Sequence, residues 1–216
     1  MSGGCCIQAV SPLVFDLDGS GFSLTNVPDG VWFTVFPGNP TFYRIAWTAA
    51  DSHNAWLVLD RNSNGIIDDF SELFGDLTPQ PNPPAGDERN GFLALAVFDS
   101  SEEGGNNDGW ISEDDAIYSK LRLWQDVNHD GIAQPSELIT LEAAGIKAIS
   151  LDYKPAKKVD ENGNVYRYRS NIKDDAGGTA RKSVYDVFLE IGAARQHSSS
   201  YSPPNSFSDL KTLVSH

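Results

Sequence analysis

The sequence predicts an α+β domain, with antiparallel strands, hairpins and short helices set around acidic loops. Three observations lead there. Short runs of β-branched and aromatic residues recur between Gly, Pro and Asn clusters. Asp, Asn and Gly recur two residues apart, a spacing that gathers oxygens around one point. Finally, 216 residues with 11 Phe, 7 Tyr and 5 Trp suffice to bury a sizeable core.

The first part of the chain is read as β-rich, with strands over 13–15, 31–33, 43–47 and 55–59. A Pro-rich surface loop follows at 78–86. The apolar run 92–98 fits a short helix or a buried strand, and periodicity does not separate the two. Ten residues lie between Asp115 and Asp126, too few for two helices and a turn, so a short helix and an extended 121–124 are expected. Ser136 is expected to start a second short helix, with Gly145 ending it. From Ile146 the pattern alternates as a strand does. Asn162-Gly163 signals a hairpin before 165–169, and Gly177-Gly178 precedes 184–189, so a three-stranded antiparallel meander is expected. Residues 1–10 read as an extension, 11–191 as the module and 192–216 as a Ser- and Pro-rich tail.

Thirty acids against sixteen bases give a net charge of −14, which disfavours nucleic acid and anionic membranes and favours cations. No apolar run approaches a membrane span. The two cysteines, Cys5 and Cys6, are adjacent, a spacing unsuited to a structural disulfide between them. The histidines, His53, His129, His197 and His216, lie in polar stretches with no nucleophile beside them.

A calcium loop of the EF-hand type is about twelve residues long, takes its oxygens from alternate positions, turns at a Gly and closes on an acid. Asp126, Asn128, Asp130, the Ile132 carbonyl, Gln134 and Glu137 fit that pattern throughout, with Gly131 at the turn. Asp60, Asn62, Asn64, the Ile66 carbonyl and Asp68 fit a second loop, whose closing Glu72 falls one residue late. A third places Asn106, Asp108, the Trp110 carbonyl, Ser112 and Asp115 in register but lacks its first ligand. Asp99 supplies that ligand if 100–104 loops out, which costs little entropy. Asp16, Asp18 and Ser20 open a fourth pattern that has no closing acid and reads equally as a β-turn. About three to four calcium ions are expected. For each loop the competing reading is a solvated acidic turn.

The motif order, Ser11-Pro12-Leu13-Val14-Phe15-Asp16-Leu17-Asp18-Gly19, then 60–76 ending Glu72-Leu73-Phe74-Gly75-Asp76, then 121–145, resembles the calcium-binding self-processing module of RTX-type secreted proteins and related EF-hand-like bacterial domains. The resemblance spans about residues 11–190. It implies that calcium folds the module, that some members cut an Asp-Pro bond at its start, and that the released aspartyl end can be joined to a lysine. Position 11 is serine here and the chain has no Asp-Pro pair, so the attacking carboxylate is absent and no self-cleavage is expected. Residues 33–43, acidic in some relatives, hold Pro37, Pro40 and no acid. The expectation is a non-enzymatic calcium-dependent folding module, secreted or at the cell surface, where millimolar calcium fills weak sites. An adhesion or scaffold role is the further alternative.

Overall fold

The computed structural model describes residues 9–175 and 182–196. The described chain forms strands β1 (Ala9–Val10), β2 (Leu13–Asp16), β3 (Val31–Thr34), β4 (Thr41–Ile45) and β5 (Asn54–Val58), then the helix α1 (Gly91–Ala96). Strands β6 (Trp110–Ser112), β7 (Arg122–Trp124), β8 (Leu138–Thr140), β9 (Ile146–Ser150), β10 (Lys154–Val159), β11 (Val165–Ser170), β12 (Ile172–Asp174) and β13 (Ser183–Gln196) follow. The main sheet runs β10-β11-β13-β2-β5-β7-β8, and a small sheet runs β12-β9-β6. All these strand pairs are antiparallel.

β13 is the spine. Its first half lies between β11 and β2, with Val184 opposite both Ser170 and Phe15. Further on it pairs with β1, and its last residues pair with β4 up to Gln196 opposite Thr41. The central strands are buried on both faces, so alternate residues feed two cores. Val14, Trp56, Val58 and Trp124 enter an aromatic core with Phe33, Trp47 and Phe70. Leu13, Phe15, Leu57 and Leu123 face the other way, against Phe92, Leu95 and the small sheet. Trp47 lies 4.9 Å from Trp56 and 5.4 Å from Trp124 by ring centroids, the tilted spacing at which aromatic rings attract.

The α+β expectation is corrected: the described chain is mostly antiparallel sheet, with one α-helix of six residues. That helix is the ambiguous run at 92–98, and it is capped by Asn90, whose side chain accepts from the amides of Phe92 and Leu93. The two other expected helices do not form. Turns fill 113–120. Pro135–Glu137 is a single 3-10 turn, after which the chain extends at once into β8. There Leu138 pairs with Trp124, and the strand ladder takes the backbone groups that a helix would have used. Gly145, at φ 66°, closes a series of turns instead of a helix. The hairpin at Asn162-Gly163 joins β10 to β11, but the alternating stretch at 146–150 goes to the small sheet, so the meander is β10-β11-β13. Residues 192–196, read from the sequence as the start of the tail, are the end of β13; residues 1–8, with Cys5 and Cys6, Gly177-Gly178, and 197–216, with His197 and His216, lie outside the described residues.

Candidate metal loops

Loop 126–137 is the connection between paired strands β7 and β8. Asp126 is 2 % exposed. Its Oδ1 accepts from the Asp130 amide (3.1 Å), and its Oδ2 accepts from the Gly131 amide (2.9 Å). Asn128 Oδ1 accepts from the Asp130 amide and Asp130 Oδ1 from the Ile132 amide. Glu137 closes the base: Oε1 accepts from the Val127 amide (3.1 Å) and Oε2 from the Gln134 amide (3.3 Å). The Gln125 amide donates to the Glu137 carbonyl.

Loop 60–72 repeats this frame on the neighbouring strand. Asp60 accepts from the amides of Asn64 and Gly65. Asn62 Oδ1 accepts from the Asn64 amide and Asn64 Oδ1 from the Ile66 amide. Glu72 Oε1 accepts from the Arg61 amide (3.0 Å), Oε2 from the Asp68 amide (2.9 Å), and the Leu59 amide donates to the Glu72 carbonyl. The late position of Glu72 is absorbed by a turn at 69–71, where the Ser71 amide donates to Asp69. Its carboxylate occupies the same hydrogen-bonding role as that of Glu137.

In the third loop Asp99 takes the role of the missing first residue. Its carboxylate accepts from the amides of Asp108 (3.2 Å) and Gly109 (3.0 Å), while 101–103 loop out as a 3-10 turn. Asn106 Oδ1 accepts from the Asp108 amide, Asp108 Oδ1 from the Trp110 amide, and Asp115 Oδ2 from the Ser112 amide. At 16–20, Asp16 accepts from the amides of Gly19 and Gly21 and Asp18 from that of Ser20. No closing carboxylate joins this turn among the described hydrogen bonds. Ser63, Asn107 and His129 occupy corresponding places in the three longer loops and have φ of 58°, 59° and 58°, left-handed backbone forced by the tight turn. His129 bridges two other segments: its ring nitrogens lie 2.7 Å from the carbonyl oxygens of Thr48 and Asp29.

Among the described residues, no group of three or more His, Cys, Asp or Glu is placed to hold a metal. The fit of a hard cation therefore turns on amide and carbonyl oxygens. Asn64, Asn106 and Asn128 each donate from Nδ2 to a nearby carboxylate, as Gln134 does from Nε2 to Asp130. Gln134 Oε1 and Asp115 Oδ1 are buried without a hydrogen-bond partner. Turning the Gln134 amide over presents its oxygen beside the Asp130 carboxylate, whereas Asn64, Asn106 and Asn128 keep Oδ1 on a loop amide; orphaned buried oxygens are the donors that a hard cation satisfies. The oxygens these loops offer are of the hard type. Burial pushes the Glu72 carboxyl up to about 7, with the charges of Asp68 and Asp69 adding. Burial likewise raises Asp68, Asp126 and Glu137, with neighbouring carboxylates adding in each case.

Two tryptophans that sequence reading did not single out join loop 126–137 to the core. Trp47 Nε1 donates to Asp126 Oδ2 (2.8 Å) and Trp124 Nε1 to Glu137 Oε2 (3.3 Å). At position 11 the Ser11 amide donates to Asp76 Oδ1 (2.9 Å) and its hydroxyl to Asp186 Oδ2 (3.3 Å). Asp186 is fully buried and also accepts from the Gly91 amide.

These features define an acidic β-sheet module with carboxylate- and amide-lined loops at its strand ends. The chain belongs to the SPM domain family, whose model matches residues 13–190. It is 40% identical over 172 residues to "Iron-regulated protein FrpA" of Neisseria meningitidis serogroup C, covering 79% of this chain and 14% of that protein. The chain thus spans about one seventh of that relative, whose printed name is not that of an enzyme. The resemblance drawn from the sequence is corrected accordingly. The comparisons return the SPM domain and an iron-regulated protein, and neither speaks of RTX-type self-processing or EF-hand-like domains. The loops also lack the flanking helices of an EF-hand, since β7 and β8 border one of them. No helix among the described residues is long and apolar enough to cross a membrane.

Proposed function

We propose that this chain is a non-enzymatic calcium-binding module, part of a larger secreted protein, whose fold and rigidity depend on the ion. The observation that supports this best is the repeated frame of loops 60–72 and 126–137, each closed by a buried glutamate against its own strand ends. Asp60, Asn62, Asn64, Asp68 and Glu72 would hold one ion, and Asp126, Asn128, Asp130, Gln134 and Glu137 another. Calcium, when bound, supplies the positive charge that lets these crowded carboxylates stay ionised and close together. The chain's own part is to fix the oxygens. Backbone amides orient each carboxylate, and Trp47 and Trp124 tie Asp126 and Glu137 to the aromatic core. Without the ion, like charges repel at the ends of β5 and β7, two central strands.

The test is thermal unfolding in chelator and in excess calcium. Each site filled a hundredfold above its dissociation constant adds about 2.7 kcal/mol, or roughly 5–10 °C in Tm for a domain of this size. An unchanged Tm ends the reading. Magnesium is expected to substitute poorly, because it keeps its waters and these loops offer many ligands.

A further inference from the structure

Loops 60–72 and 126–137 share a hydrogen-bonding frame and part company at the residue after the first aspartate. In one loop it is Val127, which is 40 % exposed. In the other it is Arg61, which turns inward. Its Nε donates to the Ser71 carbonyl (2.8 Å) and its backbone amide to Glu72 Oε1 (3.0 Å). The guanidinium lies over the rings of Phe74 (4.9 Å) and Phe98 (5.6 Å). Nη2 is buried without a hydrogen-bond partner, and among the described residues Arg61 forms no ion pair.

A guanidinium enclosed in this way loses the support that water gives its charge, and the aromatic faces restore only part of it. Burial works against the charge of Arg61, and the Glu72 carboxylate works for it. The acid that closes loop 60–72 is therefore also the counter-charge of Arg61. Glu137 has no such companion: the neutral Trp124 indole donates to it, and 126–137 contains neither Lys nor Arg. Loop 60–72 holds four acids, Asp60, Asp68, Asp69 and Glu72, against the three of loop 126–137, Asp126, Asp130 and Glu137. The additional Asp69 turns Oδ1 to the Ser71 amide (2.7 Å), and with Arg61 counted both loops carry a formal charge of −3. What separates them is a fixed cation beside one closing glutamate and none beside the other.

We infer, on the calcium reading above, that Arg61 is a resident counter-ion of loop 60–72, which weakens calcium there and leaves loop 126–137 to fill first. An ion that takes up Glu72 draws the counter-charge away from Arg61 and then sits beside a like charge. Repulsion between a partly buried unit charge and a nearby divalent ion lowers affinity by about tenfold or more. In the absence of the ion the same guanidinium steadies Glu72, so loop 60–72 is the less calcium-dependent of the two. The neighbouring strands β5 and β7, which lead into these loops, would thereby answer to different calcium concentrations.

The test is a calcium titration of the full chain followed by amide NMR. The Gly65 and Gly131 amides, which donate to Asp60 and Asp126, report on the two loops separately. In the unaltered protein Gly131 is expected to reach its calcium-bound position at the lower concentration. Arg61→Met should bring the Gly65 midpoint down by about tenfold or more and leave Gly131 where it was. Arg61→Lys loses the Ser71 bond as Met does but keeps the charge, and its Gly65 midpoint should stay near that of the unaltered protein. A residue that only braces the loop gives the opposite sign, with both variants weakening calcium at Gly65. That result, a Gly65 midpoint unmoved by Arg61→Met, or Gly65 responding before Gly131 in the unaltered protein overturns the inference while the calcium reading stands. Calcium that shifts neither glycine in any form overturns both.

Discussion

Replacing Asp186 by Asn should make the protein more stable, and increasingly so as pH rises. The Asp186 side chain is fully enclosed, with Oδ2 accepting from the Gly91 amide at 2.6 Å and the Ser11 hydroxyl at 3.3 Å, and with Oδ1 unpartnered. Burial, with the charge of Asp76 adding, pushes its pKa from 3.8 up to about 8. A carboxyl raised in the folded state favours the protonated form. The stability it contributes is therefore complete below its ordinary pKa and is lost as pH climbs through about 8. At about 1.4 kcal/mol per unit, that shift gives roughly 5–6 kcal/mol in full, of which about 4 kcal/mol falls between about pH 5 and pH 9. Asparagine imitates the protonated acid and does not titrate. Urea denaturation of both proteins at those two pH values, in a fixed excess of calcium, gives the difference directly. The advantage of Asp186→Asn should grow by about 4 kcal/mol from the lower to the higher pH. Growth of less than about 1 kcal/mol would refute the claim that Asp186 is held as a neutral acid.

Two further outcomes follow from the loops. Because calcium needs its ligands deprotonated and Glu72 titrates near 7, affinity at loop 60–72 should fall about a hundredfold at two pH units below that value. Glu72→Gln should bind weakly with no such pH dependence, which isothermal titration calorimetry across pH would show. Trp47→Phe removes the indole bond to Asp126 and should weaken calcium at loop 126–137 by about two- to tenfold. It should also remove part of the calcium-induced change in tryptophan emission, and a titration indistinguishable from the unaltered protein would disprove the coupling.

The local chemistry of the fold was readable, and its long-range pairings were not. Asn162-Gly163 announced a hairpin because few other residues adopt the backbone of that turn, and β10 and β11 do meet there. The segments bordering the acidic loops misled because the EF-hand spacing carries an expectation of helices. Leu138 and Ile139 are equally at home in a strand, and pairing with β7 decided the matter. Asp99 was reachable by counting, since a gap of known length separates it from Asn106. Trp47 was not, because it stands 79 positions before Asp126 in the chain. Asp186 carried one signal, a lone acid inside the apolar run 184–189.

The placement of β13 bears on when the chain can fold at all. Residues 183–186 pair with β2, and 189–190 with β1, at the opposite end of the described chain. The main sheet therefore lacks its central member until nearly the whole module has been made. Loop closure over such a distance must precede the reward of strand pairing, which places folding in the slow range of roughly milliseconds to seconds. A nascent chain would thus stay open until its last strand was made. A version cut before residue 183 would leave the facing edges of β2 and β11 unpaired, exposed to association with other chains.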